Sequence, residues 1–173
     1  MVLNLLNITD KSVVTDYSLG QHSFKKVNLR VAEFQSLLEE LIDILPDYYI
    51  SPLSIAITLE RLGKPAAAAK LRLKLPEATK IRSGDIGEIL TTDYIDEKTV
   101  YSVPIKKLRW KDHRNMAMRG DDVIGVLISQ EDQTIKFLKA EAKSNQSLSR
   151  AVFTKARDEL DLDEGLPAPH ALE

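Results

Sequence analysis

The sequence contains no cysteine, and this absence removes several kinds of chemistry. Without thiols, the chain forms no disulfide, binds no metal through thiolates and has no cysteine nucleophile. It also has no apolar run near the roughly 18 residues of a membrane helix, and its N-terminus lacks a signal-peptide pattern. We therefore expect a cytoplasmic protein without membrane contact.

Motifs for nucleotide and zinc chemistry are missing too. The chain has no Gly-x-x-x-x-Gly-Lys loop and no Gly-x-Gly-x-x-Gly, so nothing indicates nucleotide hydrolysis or dinucleotide binding. The histidines His22, His113 and His170 are scattered, and none lies at zinc-ligand spacing from another. Each of these histidines is more typical of the surface than of a metal site.

The net charge of -2 conceals two basic segments. Residues 61–82 and residues 98–119 each contain seven Lys or Arg against one acid, whereas the chain from residue 158 onward has six acids and no base. Such patches on an otherwise acidic protein are typical of a nucleic-acid face, and equally of solvated surfaces. The second segment supplies the candidate nucleic-acid contacts Lys106, Lys107, Arg109, Lys111, Arg114 and Arg119.

Two aromatic residues, Tyr101 and Trp110, lie among these basic residues. Either ring could stack on bases, and either could instead anchor a strand in the core.

Hydrophobic spacing predicts helices in the first half of the chain. "NLRVAEFQSLLEELIDILPDYY" repeats apolar residues every three or four positions, and we expect Pro46 to end this helix. Ser51 caps a second helix that Gly63 ends, and "PAAAAKLRLKL" predicts a third. Residues 1–28 favour irregular or short β structure. The three helices could form a helix-turn-helix, although any small helical bundle has this pattern.

The second half predicts a different order of elements. "GDIGEILTTDYI" is typical of a helix with Ile86, Ile89 and Leu90 as its apolar stripe. Strands are expected in "TVYSVPIKKLRW", at about 122–128 and at about 135–143, and a closing helix capped by Ser147 at about 148–160. The fold class is therefore α+β (α/β-like), with N-terminal helices followed by a helix–β–β–β–helix core with a mixed sheet. The predicted limits are 1–80 for the helical region, 81–160 for the core and 161–173 for an acidic tail.

The last two strands bring two carboxylates together. They are separated by "SQEDQT", and a short polar connection predicts an antiparallel hairpin. In a symmetric loop, paired positions sum to 263, so Asp122 faces Glu141 with Cβ atoms about 4.5–5.5 Å apart. Asp121 then points to the other face, and Lys143 shares the face of Glu141. Facing carboxylates repel unless a cation lies between them, and that cation could be Mg²⁺ or the Lys143 ammonium.

The stretches "GDDVI" and "EAK", 16 residues apart, resemble the signature of the PD-(D/E)xK nuclease superfamily. The wider pattern, with "GDIGEIL" and "PIKKLRW" before it, is similar to the nuclease subunit of the Hachiman anti-phage defence system. The resemblance covers about residues 80–160 and implies a restriction-endonuclease-like core. In place of the usual proline before the aspartate, the chain has Asp121.

The resemblance also implies roles for individual residues. Asp122, Glu141 and the backbone carbonyl of Ala142 would bind Mg²⁺ (or Mn²⁺), and Lys143 would position the attacking water. Glu88 would complete the acidic cluster or hold a second metal, although a helical wheel places it nearly opposite the Ile86 stripe, in a cleft or in solvent. DNA would be the substrate and a helicase subunit the partner.

Three functions follow from these patterns. The first is a metal-dependent deoxyribonuclease acting in anti-phage defence. The second is a non-catalytic module that keeps the nuclease fold and binds nucleic acid or a partner. The third is a helical adaptor, residues 29–75, whose β part is only structural.

Overall fold

The computed structural model describes residues 6–131 and 133–168. The chain forms two compact units, with the boundary between Leu45 and Pro46. The domain limits expected from the sequence stay predictions, and residues 169–173 of the expected acidic tail, with His170, lie outside the described residues. None of the described helices is long and apolar enough to cross a membrane.

The first unit contains a β-hairpin. Strand β1 (Ser12–Leu19) pairs antiparallel with strand β2 (His22–Leu29), and Gly20 takes a positive φ in the turn between them. The rings of Tyr17 and Phe24 stack across the pair, with their centroids 4.6 Å apart. The short β structure expected before residue 28 is therefore confirmed.

Helix α1 (Phe34–Tyr49) shows that the prediction of an end at Pro46 is wrong. Proline removes one backbone N–H donor but leaves its own carbonyl available. The carbonyl of Pro46 accepts a hydrogen bond from Ile50 N at 3.0 Å, so the last turn forms beyond the proline.

Helix α2 (Pro52–Lys74) begins and bends as its sequence predicts. Ser51 Oγ accepts a hydrogen bond from Ser54 N at 3.2 Å, which caps the first turn. Gly63 has φ of 79°, and this left-handed backbone interrupts the helix where the sequence indicates a stop. Two more helices follow, α3 (Thr79–Lys98) and α4 (Arg150–Leu160). The N-cap residue of α4 is Ser149, so the cap expected at Ser147 is wrong. The Ser149 side chain makes no capping hydrogen bond.

Strands β3 (Val123–Ser129) and β4 (Thr134–Ala140) form the second hairpin. Their register runs from Val123↔Ala140 to Ser129↔Thr134, so the antiparallel pairing with positions summing to 263 is confirmed. Both sheets among the described residues are two-stranded and antiparallel, so α+β is confirmed but the expected mixed sheet is not observed there.

The strand expected over residues 99–110 is wrong. This segment makes one antiparallel bridge, Ser102↔Val126, and then a 3₁₀ turn at Lys107–Trp110. Pro104 has no N–H to donate, and Val103 N donates to Asp96 Oδ1 at 2.8 Å instead of to β3. The pairing therefore stops after a single bridge.

Helix α3 packs against β3 through a small apolar core. Ile95, Val103 and Val123 are buried there, with Tyr101, Leu138 and Ala140 packed around them. Gly125 allows the close approach, because a Cβ at this position would lie 3.0 Å from Tyr101 Cβ and 3.3 Å from Leu138 Cβ.

Asp121, two residues before β3, binds the C-terminal segment. Its carboxylate accepts a hydrogen bond from Ala168 N at 2.7 Å and lies 3.0 Å from Lys139 Nζ. Lys139 also donates to the carbonyl of Leu162 at 2.9 Å. Because both side chains are nearly buried, the pair ties residues 162–168 to the hairpin.

Candidate metal centre

The open end of the second hairpin brings Asp122 and Glu141 together. They occupy the next paired positions beyond Val123↔Ala140. Asp122 Oδ2 accepts a hydrogen bond from Ala142 N at 2.9 Å, and the Asp122 side chain lies close enough to Glu141 to raise the pKa of that carboxyl group. The facing pair predicted from the loop symmetry is therefore present.

Lys143 lies between two carboxylates. Its Nζ donates to Glu141 Oε1 and to Glu159 Oε2. Glu159 belongs to α4 and was not among the predicted residues, because sequence spacing alone does not show where a following helix packs. Although burial alone would lower it, these hydrogen bonds raise the pKa of Lys143. Lys143 is therefore a charged ammonium group that two carboxylates hold in place at this site.

Glu88 on α3 joins the same cluster. Its side chain is only 14% exposed, and its Oε2 lies 4.0 Å from Lys107 Nζ. Lys107 Nζ is also 3.6 Å from Asp122 Oδ1 and donates to the carbonyl of Asp121. Of the two places left open for Glu88, solvent is wrong, because the side chain lies largely buried beside Lys107.

The expected apolar stripe on α3 is partly wrong. Ile86 is exposed, whereas Asp85, Ile89 and Thr92 are buried. The inward face of α3 thus includes Asp85 and Glu88, which are three residues apart and lie on the same side of the helix.

The crowding of carboxyl groups changes their acidity. Burial raises the pKa of Glu88 to about 7. Lys107 acts to lower this pKa, whereas repulsion from Asp122 and Asp85 raises it further. Burial and the hydrogen bond with Asp122 raise the pKa of Glu141 to about 8, despite the hydrogen bond from Lys143. Burial alone would raise the pKa of Glu159, but the hydrogen bonds from Lys143 and Glu141 lower it. In the metal-free protein, a pKa of about 8 keeps Glu141 protonated near neutral pH.

These shifts predict how the stability of the metal-free protein depends on pH. Because the pKa values of Glu88 and Glu141 are raised when folded, their contribution is fully present below about 4.5 and is lost as pH rises through about 7 and 8. Thermal unfolding in a chelator should show a lower melting temperature at about pH 9 than at about pH 6. The variant Glu88→Gln/Glu141→Gln should show a smaller decrease, and an equal decrease would refute this cause.

The donor set suits a hard divalent cation. Mg²⁺ and Mn²⁺ prefer carboxylate, carbonyl and water oxygens, and Asp122, Glu141 and Glu88 present carboxylates within one cluster. Glu88 Oε2 is buried and has no hydrogen-bond partner among the described residues. Burial raises the pKa of Glu141 most, and Asp122 raises it further, so a bound cation would relieve the repulsion between these two carboxylates. These residues therefore fit the metal, although no group of three or more His, Asp or Glu in the described ranges is already arranged to hold one.

A cleft of about 900 Å³ opens beside the cluster, within the second unit. Asp122 lies on its wall, together with basic residues that include Lys70, Lys74 and Arg119. Trp110 also lines the cleft and is 71% exposed, whereas Tyr101 packs against the core. Tyr101 therefore takes the anchoring role, and base stacking by Trp110 stays a prediction.

Two of the six predicted nucleic-acid contacts, Lys107 and Lys111, line the cleft but have their ammonium groups beside carboxylates. Lys111 is buried, and its Nζ donates to both carboxylate oxygens of Asp85 at 2.6 Å. Tyr49 Oη donates to the same carboxylate at 2.6 Å. Lys111 therefore cannot reach a phosphate in this structure, and that prediction is corrected. Lys107 lies within the carboxylate cluster.

The other four are at or near the surface. Arg119 is exposed. Lys106 Nζ lies 4.0 Å from the centre of the Tyr48 ring. Arg109 Nε donates to the carbonyl of Asp47 at 2.7 Å, and Arg114 Nη2 lies 2.6 Å from Glu77 Oε1. Of these four, Arg119 has the most accessible side chain.

The fold and the site define an α+β protein with a cluster of carboxylates and lysines beside a basic cleft. The chain belongs to the HamA family, whose model matches residues 3–173, nearly the whole sequence. Membership of this family makes it an anti-phage defence protein of the Hachiman type. No curated protein matches the chain.

Proposed function

We propose that the chain is a metal-dependent deoxyribonuclease of the PD-(D/E)xK type, with a restriction-endonuclease-like core, acting in anti-phage defence. One observation carries the proposal: Asp122, Glu141 and Lys143 meet at the open end of one hairpin. The family match supports the defence role. A helicase subunit as partner is part of the same proposal.

The residues present can perform phosphodiester hydrolysis. Asp122, Glu141 and the carbonyl of Ala142 would hold Mg²⁺, which supplies Lewis acidity and a water of lowered pKa when bound. Lys143 presents its ammonium to the attacking water and to the negative charge that develops on the phosphate. Glu159 accepts from Lys143 and limits its rotamers, so the ammonium stays directed at the cluster.

The direct test is DNA cleavage by the chain itself. The protein is incubated with supercoiled plasmid and with linear DNA, in Mg²⁺, in Mn²⁺ and in excess chelator. We expect nicked or shortened products only with a divalent metal. Cleavage that persists in the chelator would refute the metal dependence.

A second candidate is the binding module without catalysis. The observation that favours it is the presence of Lys107 and Lys143 where cations would otherwise neutralise the carboxylates. This function predicts salt-sensitive DNA binding and no cleavage with any divalent metal. Product formation in Mg²⁺ or Mn²⁺ would exclude it.

DNA binding through the cleft can be measured separately from cleavage. Arg119→Ala should weaken binding at every sequence and reduce the slope of log affinity against log salt by about 1, as expected for one lost phosphate contact. Arg61→Ala is the matched control, because Arg61 is also exposed but does not line the cleft. Fluorescence anisotropy with labelled DNA in chelator gives both slopes. Equal effects of the two variants would argue against this cleft.

A further inference from the structure

Lys107 is surrounded by oxygen atoms of the candidate metal centre. It begins the 3₁₀ turn Lys107–Trp110, and its side chain is 15% exposed. Its Nζ lies 3.6 Å from Asp122 Oδ1 and 4.0 Å from Glu88 Oε2, and it donates to the carbonyl of Asp121. Three oxygens from two elements therefore converge on one ammonium.

The position of this ammonium matters because nucleases use either one or two metal ions. Two-metal sites hold their ions about 3.5–4 Å apart, and a carboxylate commonly lies between them. Here Asp122 is that carboxylate. Its Oδ2 faces Ala142 N on the side of Glu141, and its Oδ1 faces Lys107 on the side of Glu88. A second ion would need the Glu88 side, which Lys107 fills.

We propose that Lys107 is a built-in cation occupying the second cation position, so that the chain binds one divalent ion and not two. The inference rests on the proposed function, because it assumes an ion at Asp122 and Glu141. Lys107 neutralises Glu88 and keeps Asp122 Oδ1 from a second metal. It is a positioning residue, acting through the carboxylates.

A simple structural ion pair has a different geometry in this protein. Lys111 donates to both oxygens of one carboxylate, Asp85, at 2.6 Å. Lys107 instead stands 3.6 and 4.0 Å from two different carboxylates and donates to a main-chain carbonyl. Oxygen atoms of three different groups therefore surround Lys107 Nζ, as oxygen ligands surround a bound metal ion.

The test is the number of Mn²⁺ ions bound by the full chain without DNA, measured by calorimetry. Wild type should bind one ion, Lys107→Met should bind two, and Lys107→Arg should bind one because it keeps the charge. Lys106→Met is the matched control for the neighbouring lysine and should bind one. Two ions on wild type, or one on Lys107→Met, would overturn the inference while leaving the proposed nuclease intact.

A second variant keeps the test decisive if Lys107→Met does not fold. Lys107→Gln removes the positive charge but keeps a side chain that can donate to the carbonyl of Asp121, and it should also bind two Mn²⁺ ions. One ion on Lys107→Gln would overturn the inference. If wild type binds no Mn²⁺, the proposed metal centre fails as well.

Discussion

Lys143→Ala is expected to reduce metal-dependent DNA cleavage by at least about 100-fold, while Mn²⁺ binding remains. Lys143 is not a metal ligand in the proposed site, and its ammonium is the group placed to stabilise charge on the phosphate. Removing it leaves Glu141 and Glu159 without their shared donor, which makes the cluster more negative and still attractive to a cation. The loss should therefore appear in the rate of cleavage and not in metal affinity.

Lys155→Ala is the matched control for this variant. Lys155 lies 3.8 Å from the other oxygen of Glu159, but its side chain is 69% exposed. We expect cleavage by Lys155→Ala to stay within about twofold of wild type, because exposed pairs on a helix contribute little. Single-turnover cleavage and Mn²⁺ calorimetry on both variants provide the comparison. Equal activity of Lys143→Ala and wild type would place the chemistry elsewhere.

Lys111→Met should have the largest effect on stability. It removes one partner of the buried pair with Asp85 and leaves a buried carboxylate that still accepts from Tyr49 but has lost the ammonium beside it. Breaking a buried ion pair in this way costs about 3 to 5 kcal/mol. Urea unfolding of the metal-free chain should show this decrease in the free energy of unfolding.

The double variant Asp85→Asn/Lys111→Met distinguishes a lost ion pair from poor packing. It removes both charges while the amide oxygen introduced at position 85 can still accept from Tyr49, so most of the lost stability should return. Lys64→Met, at an exposed position, is the control and should change stability by no more than about 0.5 kcal/mol. A double variant as unstable as Lys111→Met would show that packing and not charge is responsible.

The hairpin and its carboxylate pair could be predicted because their cause is local. A six-residue connection with symmetric ends determines which positions face each other, so Asp122 and Glu141 followed from counting. The alternation of strand side chains then placed Lys143 on the same face as Glu141. These inferences need no knowledge of distant parts of the chain.

Contacts between distant elements could not be predicted in the same way. Glu159 reaches Lys143 because of where α4 packs, and Lys111 is buried because α3 presents Asp85 to it. One signal was available: Asp85 and Glu88 are three residues apart on one helical face, and nearby cations would offset the repulsion between them. Lys107 and Lys111 in the next basic segment are the cations that lie beside these carboxylates.

The neighbouring aspartates just before β3 connect the C-terminal segment to the carboxylate cluster. Asp121 grips the backbone at Ala168, and the next residue, Asp122, belongs to the carboxylate cluster, with Cα atoms about 3.8 Å apart across one peptide bond. A load applied to the C-terminal segment is therefore transmitted to the cluster through a single rigid peptide plane.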